Sequence, residues 1–418
     1  MKKSYKTKIL YIGSIPPEVG GQTCGGVATY TWELATQTHR NGYDVYILAN
    51  TASSFIRDGI KIISLPPRNK LLKAFYGVRS LLTANKNKMG FLNFLSFKRA
   101  HRLYSVYSLK KIIDRVKPDL IHIHSLTDTR ALISAFLENC PPVVVTDHGI
   151  GVYFMHTNVA RKIFGIRNMS ELKEKVNETV KTVNFIITVS DFAKQQLKEQ
   201  FNLPSSLKIK AVLNPLDVNK LPLLNKKDTK EELGLVGKKM VFFSGVHEPI
   251  KKKGLDILLQ AFGVDSYLRK NCKLLVVTRG KGISFAQSFL KDKNIDGLIL
   301  GPQPWEKLVK YYNAADVFVM PSRIEGIGLV YEESLAGGTP IVGFPDSLEE
   351  LEDLLGIYIG EKFDASKEDE KALAKKIMKV LNTDFDRKLL RKKMVENLSW
   401  DAKFGEFDSV YKELLADT

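Results

Sequence analysis

Val317-Phe318-Val319-Met320-Pro321-Ser322-Arg323-Ile324-Glu325-Gly326-Ile327-Gly328-Leu329-Val330-Tyr331-Glu332-Glu333-Ser334-Leu335-Ala336-Gly337-Gly338-Thr339-Pro340 is the stretch whose reading decides the fold. Its first four residues form a short apolar run of strand character. A turn-rich loop follows, in which Gly326 and Gly328 permit tight backbone and close approach of a ligand. Near Gly328 the pattern becomes helical, and Pro340 to Gly343 reads as the next strand. A strand, a loop, a helix and a second strand in that order are the repeating unit of a parallel sheet covered by helices.

The same alternation runs outward in both directions. Toward the N-terminus, strands are expected at Lys8 to Gly13, Asp44 to Ala49, Ile60 to Leu65, Asp119 to His124, Val143 to His148 and Phe185 to Val189. A helix is expected after the first strand, stopping at Gly42, and others over about Asp128 to Leu137 and Met169 to Val183. Asn214 to Pro222 carries turn residues and little periodicity, as a linker does. Beyond it strands recur at Met240 to Ser244, Lys273 to Thr278 and Leu298 to Leu300, and helical sequence from about Lys367 closes the chain. The expected fold class is therefore α/β, two Rossmann-like doubly wound parallel-sheet domains facing across a cleft. Residues 1–215 are assigned to an N-terminal domain, 216–398 to a C-terminal domain, and 399–418 to a helix crossing back to the first.

Composition narrows the class. A chain of 418 residues is too long for one ordinary core, and 44% hydrophobic with 26% charged residues suits a globular protein. No apolar run approaches the roughly 20 residues that span a bilayer, and the basic start, Met1 to Lys8, is followed by too short an apolar stretch for a signal peptide. Three scattered cysteines, Cys24, Cys140 and Cys272, suggest a reducing compartment and fit neither a zinc site nor a disulfide framework. The net charge of +17 is concentrated: no acidic residue lies between Asp58 and Asp114, while Lys98, Arg99, Arg102 and nine other cations do, interleaved with Phe91, Phe94, Phe97 and Tyr104. Such a segment suits an anionic membrane surface. A solvated basic face over an ordinary core is the plainer alternative, and nucleic acid the least favoured partner. Region 59–113 is accordingly expected to be membrane-facing, and the protein cytoplasmic, peripheral on the inner face of the cytoplasmic membrane.

Chemistry should sit in loops after strand ends, where doubly wound sheets bind ligands. Glu325 lies in such a loop, and Glu333 just over one turn into the following helix, whose free N–H groups favour a phosphate. The spacing offers one carboxylate to a sugar and another to its nucleotide. In these residues the sequence resembles the retaining GT-B glycosyltransferases, whose signature is Pro-Ser…Glu-Gly-x-Gly…Glu…Gly-x-Pro; Glu325, Gly326, Gly328, Glu333, Gly338 and Pro340 match it, and Ser334 replaces the usual Ala. The resemblance extends over nearly the whole chain. It implies that Glu325 contacts the donor sugar, Glu333 the ribose, and the backbone at Ile327, Gly328 and Leu329 the donor. It also implies that Gly25 and Gly26 belong to a glycine-rich loop facing donor and acceptor, and that His148 reaches the transferred sugar; a histidine ending a buried strand can bond a sugar hydroxyl or share a proton near neutral pH. Pro302 and Gln303 resemble the loop that receives the base, and Ser399-Trp400 the start of the returning helix.

The phosphate clamp departs from the family. Lys253 before Gly254 matches the usual Lys-Gly, but Val246 stands where an Arg is usual, leaving Lys251, Lys252 or Arg279 to assist. Asn184 replaces a frequent Asp, and Pro215 a frequent Gly. Asp384-Phe385-Asp386 has the form of a cation-binding Asp-x-Asp motif, but in a helical tail rather than after a sheet strand. The resemblance thus implies a metal-independent hexosyltransferase without cofactor. Its donor, a UDP-sugar or GDP-sugar, is then bound by the C-terminal domain and a carbohydrate or lipid-linked acceptor by the N-terminal one; the charge of the basic segment, rather than the resemblance, points to a lipid-linked or surface-polysaccharide precursor. A GT-B-fold nucleotide-sugar epimerase or phosphorylase, and a non-catalytic, membrane-docked nucleotide-sugar-binding protein, are the alternatives.

Overall fold

A computed structural model describes residues 6–23, 25–65, 108–135, 137, 139–154, 169–245 and 250–417. Most of the basic region, including Lys98, Arg99 and Arg102, lies outside the described residues, as do Cys24 and Val246. The chain divides into two compact units, residues 1–213 with 404–418, and residues 214–403.

The first unit is built on an eight-stranded sheet of β1 (Lys8–Ile12), β2 (Asp44–Ala49), β3 (Phe55–Arg57), β4 (Ile60–Ser64), β5 (Leu120–Ile123), β6 (Val143–Asp147), β7 (Phe185–Thr188) and β8 (Lys208–Ala211). Their order is β3-β4-β2-β1-β5-β6-β7-β8, parallel throughout except for the β3–β4 pair. The central strands are apolar on both faces, so Ile9 to Ile12, Leu120 to Ile123 and Val143 to Asp147 are all buried, which is what a sheet covered by helices on both sides demands. The last helix, Trp400–Ala416, returns to this unit from Phe404 onward. Its Tyr411 hydroxyl shares hydrogen bonds with Tyr11 (2.8 Å) and with Nδ1 of His122 (2.8 Å), and Tyr43 donates to its Asp408 at 2.6 Å.

The second unit carries a six-stranded, wholly parallel sheet: β9 (Lys239–Ser244), β10 (Cys272–Val277), β11 (Gly297–Leu300), β12 (Val317–Met320), β13 (Ile341–Gly343) and β14 (Gly360–Lys362), in the order β11-β10-β9-β12-β13-β14. The expected α/β class with two doubly wound sheets is what the chain adopts.

Two differences have local causes. The helix expected over Asp128 to Leu137 is a 3-10 helix, Thr129–Ala135. The Asp128 carboxylate accepts from the Arg130 backbone N–H at 2.9 Å, a side-chain competitor to the helical ladder. Strands β3, β8 and β14 carry no signal in the sequence. They are three or four residues long and lie at sheet edges, and β3 and β8 are partly exposed, so no continuous apolar run marks them.

Candidate active site

In the second unit β12 ends at Met320, and the next residues turn back across the carboxyl edge of the sheet. The Glu325 side chain is 5% exposed and its carboxylate takes two donors on Oε1, Ser322 Oγ at 2.9 Å and the ammonium of Lys253. The Lys253 side chain is 17% exposed. Lys253 comes from the loop after β9, the strand beside β12. Two residues 72 positions apart thus meet at the ends of neighbouring strands.

Gly254, next to Lys253, takes a left-handed φ of +75°, and a Cβ there would lie 2.0 Å from the carbonyl oxygen of Pro321. Only glycine lets the lysine loop pack so close to the Glu325 loop. Gly254→Ala should therefore lower the urea midpoint, with a cost of about 1–3 kcal/mol for the strained backbone. An unchanged midpoint would show that the two loops separate freely.

The helix Leu329–Ala336 begins at Gly328 without a side-chain cap, so the amides of its first turn are not occupied by a capping group. Gly328 packs on the ring of Tyr331, whose hydroxyl donates to Met320 O at 2.6 Å and accepts from Phe344 N at 3.0 Å. That one phenol ties the ends of β12 and β13 to the helix. Ile327 is buried and Leu329 partly so. Glu333 accepts from the Tyr312 hydroxyl at 2.5 Å. Its neighbour Glu332 is fully buried, and neither of its oxygens has a hydrogen-bond partner among the described residues. Burial, then the charges of Glu333 and Glu350, push the Glu332 carboxyl well above the usual carboxylate range.

The remaining second-unit candidates lie at the same edge of the sheet. Gln303 folds onto its own loop after β11, donating to Gly301 O at 3.1 Å, beside exposed Pro302. Lys251 is 82% exposed and pairs with Asp256 at 3.2 Å, whereas Lys252 is buried. Arg279 follows β10 and is exposed. Asp386 of the Asp-x-Asp sequence caps the helix Arg387–Leu398, accepting from Lys388 N at 2.9 Å and Leu389 N at 3.0 Å. Among the described residues no group of three or more His, Cys, Asp or Glu is placed to hold a metal ion.

In the first unit Gly25 (φ +128°) caps the helix Gly26–Arg40, its carbonyl accepting from Ala28 N at 3.0 Å. At the ends of β5 and β6 three imidazoles stack: His122 on His124 at 4.8 Å and 8°, and His124 on His148 at 5.7 Å and 23°. His122 is satisfied by Tyr411 and by Thr146 (2.7 Å), a structural role. Among the described residues His124 has no hydrogen-bond partner on either ring nitrogen, and His148 none on Nε2. Burial pushes His148 down to about 4. Of the two roles open to a histidine here, that favours the hydrogen bond to a hydroxyl: at pH 7 this ring is neutral and carries no second proton to share. The preceding Asp147 accepts from the N–H groups of Gly149 and Ile150, and burial raises it to about 7.

The comparisons with known proteins bear on this arrangement. Residues 24–220 match the family model described as Glycosyltransferase Family 4, and residues 237–383 the one described as Glycosyl transferases group 1. The chain belongs to the glycosyltransferases that these two models describe, and has the GT-B fold. It is similar to an uncharacterized glycosyltransferase of Methanocaldococcus jannaschii, 27% identical over 326 residues covering 76% of this chain and 82% of that protein. A glycogen synthase of Thermotoga maritima is 31% identical over 219 residues, 48% of this chain and 43% of the synthase. In structure it resembles sucrose-phosphate synthase from Thermosynechococcus elongatus, with a TM-score of 0.72 at 16% identity over 99% of this chain and all of that one.

Within this glycosyltransferase-family chain, then, Lys253 and Glu325 are brought together directly, with Gly328 and Leu329 at the adjoining helix start. Pro302 and Gln303 stand after a different strand, and Gly25, Gly26 and His148 belong to the first unit. Sequence reasoning missed Ser322, Tyr312, Arg323 and Asp256. Ser322 alone carried a signal, three residues before Glu325 in the same loop.

Proposed function

We propose that the protein is a retaining, metal-independent hexosyltransferase that moves a sugar from a UDP-sugar or GDP-sugar to a carbohydrate or lipid-linked acceptor, a surface-polysaccharide precursor among them. The observation that carries this reading is the meeting of Lys253 and the Glu325 carboxylate at the end of β12, beside the uncapped start of the helix Leu329–Ala336. A nucleoside diphosphate sugar needs a cation and amides for its phosphates, and an acceptor for its sugar hydroxyls; these groups are of those kinds.

In this reading the bond from the anomeric carbon to the diphosphate oxygen breaks as the sugar gains oxocarbenium character. Negative charge grows on the leaving oxygen, where Lys253 and the amides at Ile327, Gly328 and Leu329 stabilise it. An acceptor hydroxyl oxygen attacks from the face the diphosphate leaves, and its proton passes to the departing diphosphate. Glu325 accepts from a hydroxyl of the transferred sugar, and Glu333, steadied by Tyr312, from the ribose. To neutral His148 we assign a hydrogen bond to a sugar hydroxyl.

Thermal melts of the purified chain against a panel of nucleotide sugars test the donor assignment. The true donor at one hundred times its Kd should add about 2.7 kcal/mol to stability. A panel that leaves the melting temperature unmoved removes the reading. Product analysis then separates transfer to an acceptor from donor isomerisation or phosphorolysis, the outcomes expected of an epimerase or a phosphorylase.

We assign region 59–113 to an anionic membrane surface, on the strength of its unopposed cations and interleaved aromatics. No helix among the described residues is long and apolar enough to cross a membrane. At about 1 kcal/mol per cation near such a surface, neutralising Lys98, Arg99 and Arg102 together should weaken partitioning onto phosphatidylserine vesicles by about a hundredfold. Unchanged partitioning assigns these residues to a solvated face instead.

A further inference from the structure

Lys253 does not reach Glu325 unaided. Arg323, two residues before Glu325, donates through both terminal nitrogens to Asp256, NH1 to Oδ1 at 2.9 Å and NH2 to Oδ2 at 3.1 Å. Its backbone N–H donates to Lys252 O at 2.9 Å, and NH1 also donates to Lys251 O at 2.5 Å. Asp256 stands in the first turn of the helix Leu255–Val264, is buried, and closes the lysine loop on itself, its N–H donating to Ile250 O at 3.1 Å. One arginine thus fastens the lysine loop to the Glu325 loop, its guanidinium by a side-chain fork and the Lys251 carbonyl, its backbone N–H by the Lys252 carbonyl.

A fork of this kind is directional: both oxygens of a planar carboxylate must meet both nitrogens, which fixes relative orientation as well as distance. The Asp256 side chain is 8% exposed, so the pair is poorly screened. Its other cation, Lys251, is held by a side chain 82% exposed and cannot replace it. The guanidinium is committed to Asp256 and Lys251 O, so its contribution to ligand binding is made through the lysine loop.

We infer that Arg323 is a positioning residue, paired with Asp256, that sets the Lys253 ammonium for the donor's diphosphate. The inference rests on the reading that Lys253 receives that diphosphate. It has a consequence that a purely structural role lacks: loss of Arg323 weakens phosphate-bearing ligands and leaves the nucleoside alone untouched, because the assigned base contacts stand after β11 and the assigned ribose contact, Glu333, is steadied by Tyr312 from the helix Trp305–Ala314.

The test is isothermal titration of the full-length protein with UDP and GDP, and with uridine and guanosine, for wild type, Arg323→Ala, Arg323→Lys and Lys253→Ala. Expected for the diphosphate of the cognate base are about a tenfold weaker Kd in Arg323→Ala and a smaller loss in Arg323→Lys, which keeps the charge without the fork. Nucleoside affinity stays unchanged in both. Equal losses for nucleoside and diphosphate, or an Arg323→Ala protein that binds the diphosphate as wild type does, overturn the inference. If Arg323→Ala does not fold, Arg323→Lys decides by the same comparison. If Lys253→Ala itself binds the diphosphate normally, the assignment of Lys253 fails and the Arg323 inference fails with it; normal loss in Lys253→Ala with none in either Arg323 variant refutes the inference alone.

Discussion

Lys253→Ala lowers the rate of sugar transfer by about 10²–10³-fold, the scale on which removing one preorganised stabiliser of a developing oxyanion acts. Glu325→Ala falls in the same range. The two losses are expected to be less than additive, because the ammonium and the carboxylate hold each other: removing Lys253 leaves Glu325 with Ser322 as its donor among the described residues. Glu325→Gln keeps the shape and the acceptor oxygen but loses the charge-assisted bond to Lys253. It should sit between wild type and Glu325→Ala. Initial rates with the donor found by melting, on variants whose circular dichroism matches wild type, measure all three. Wild-type turnover in either alanine variant would falsify the assigned roles.

Glu332→Leu makes the protein more stable, by about 1–4 kcal/mol at neutral pH, the gain seen when a poorly compensated buried ionisable group gives way to a hydrophobic residue. Glu332 is fully buried with no hydrogen-bond partner among the described residues, and both neighbouring charges, Glu333 and Glu350, are of its own sign. Its pH dependence follows from linkage. In the unfolded chain this carboxyl ionises near its ordinary 4.5, while in the folded protein it holds its proton to much higher pH. Unfolding therefore releases a proton above pH 4.5, and the stability of the wild type falls as pH rises from there toward the folded pKa. The advantage of Glu332→Leu accordingly grows from pH 5 to pH 8. Urea melts of the two proteins at both pH values read this directly. A leucine variant less stable than wild type at pH 8 would mean that the carboxylate has a partner there, contrary to its burial among like charges.

The glycine positions around Glu325 show how the site was partly legible. Gly326 and Gly328 stood out because they interrupt a strand-to-helix transition, and the helix does start at Leu329. Gly254 was read as half of a Lys-Gly pair, yet what demands glycine there is the carbonyl of Pro321, 67 residues on in the chain and invisible to any local pattern. The three lysines before it looked alike in sequence. Folding makes them different: Lys251 exposed on Asp256, Lys252 buried, Lys253 on Glu325. Which of two roles His148 takes stayed open in the sequence for the same reason, since an imidazole's pKa depends on what surrounds it, and His124 and Tyr30 reach it only after β5, β6 and the first helix have packed.

What the amino-acid order determined alone was the α/β class and the position of the candidate residues at strand ends. Both follow from hydrophobic runs, helical spacing and turn residues that act over a few positions along the chain. Only the tertiary structure decided which charges meet. Lys253 with Glu325, Arg323 with Asp256 and Tyr312 with Glu333 are pairs separated by 72, 67 and 21 residues. Their meeting is set by strand order in the sheet, and strand order is a property of how whole elements bury their apolar faces together, which no short stretch of sequence carries.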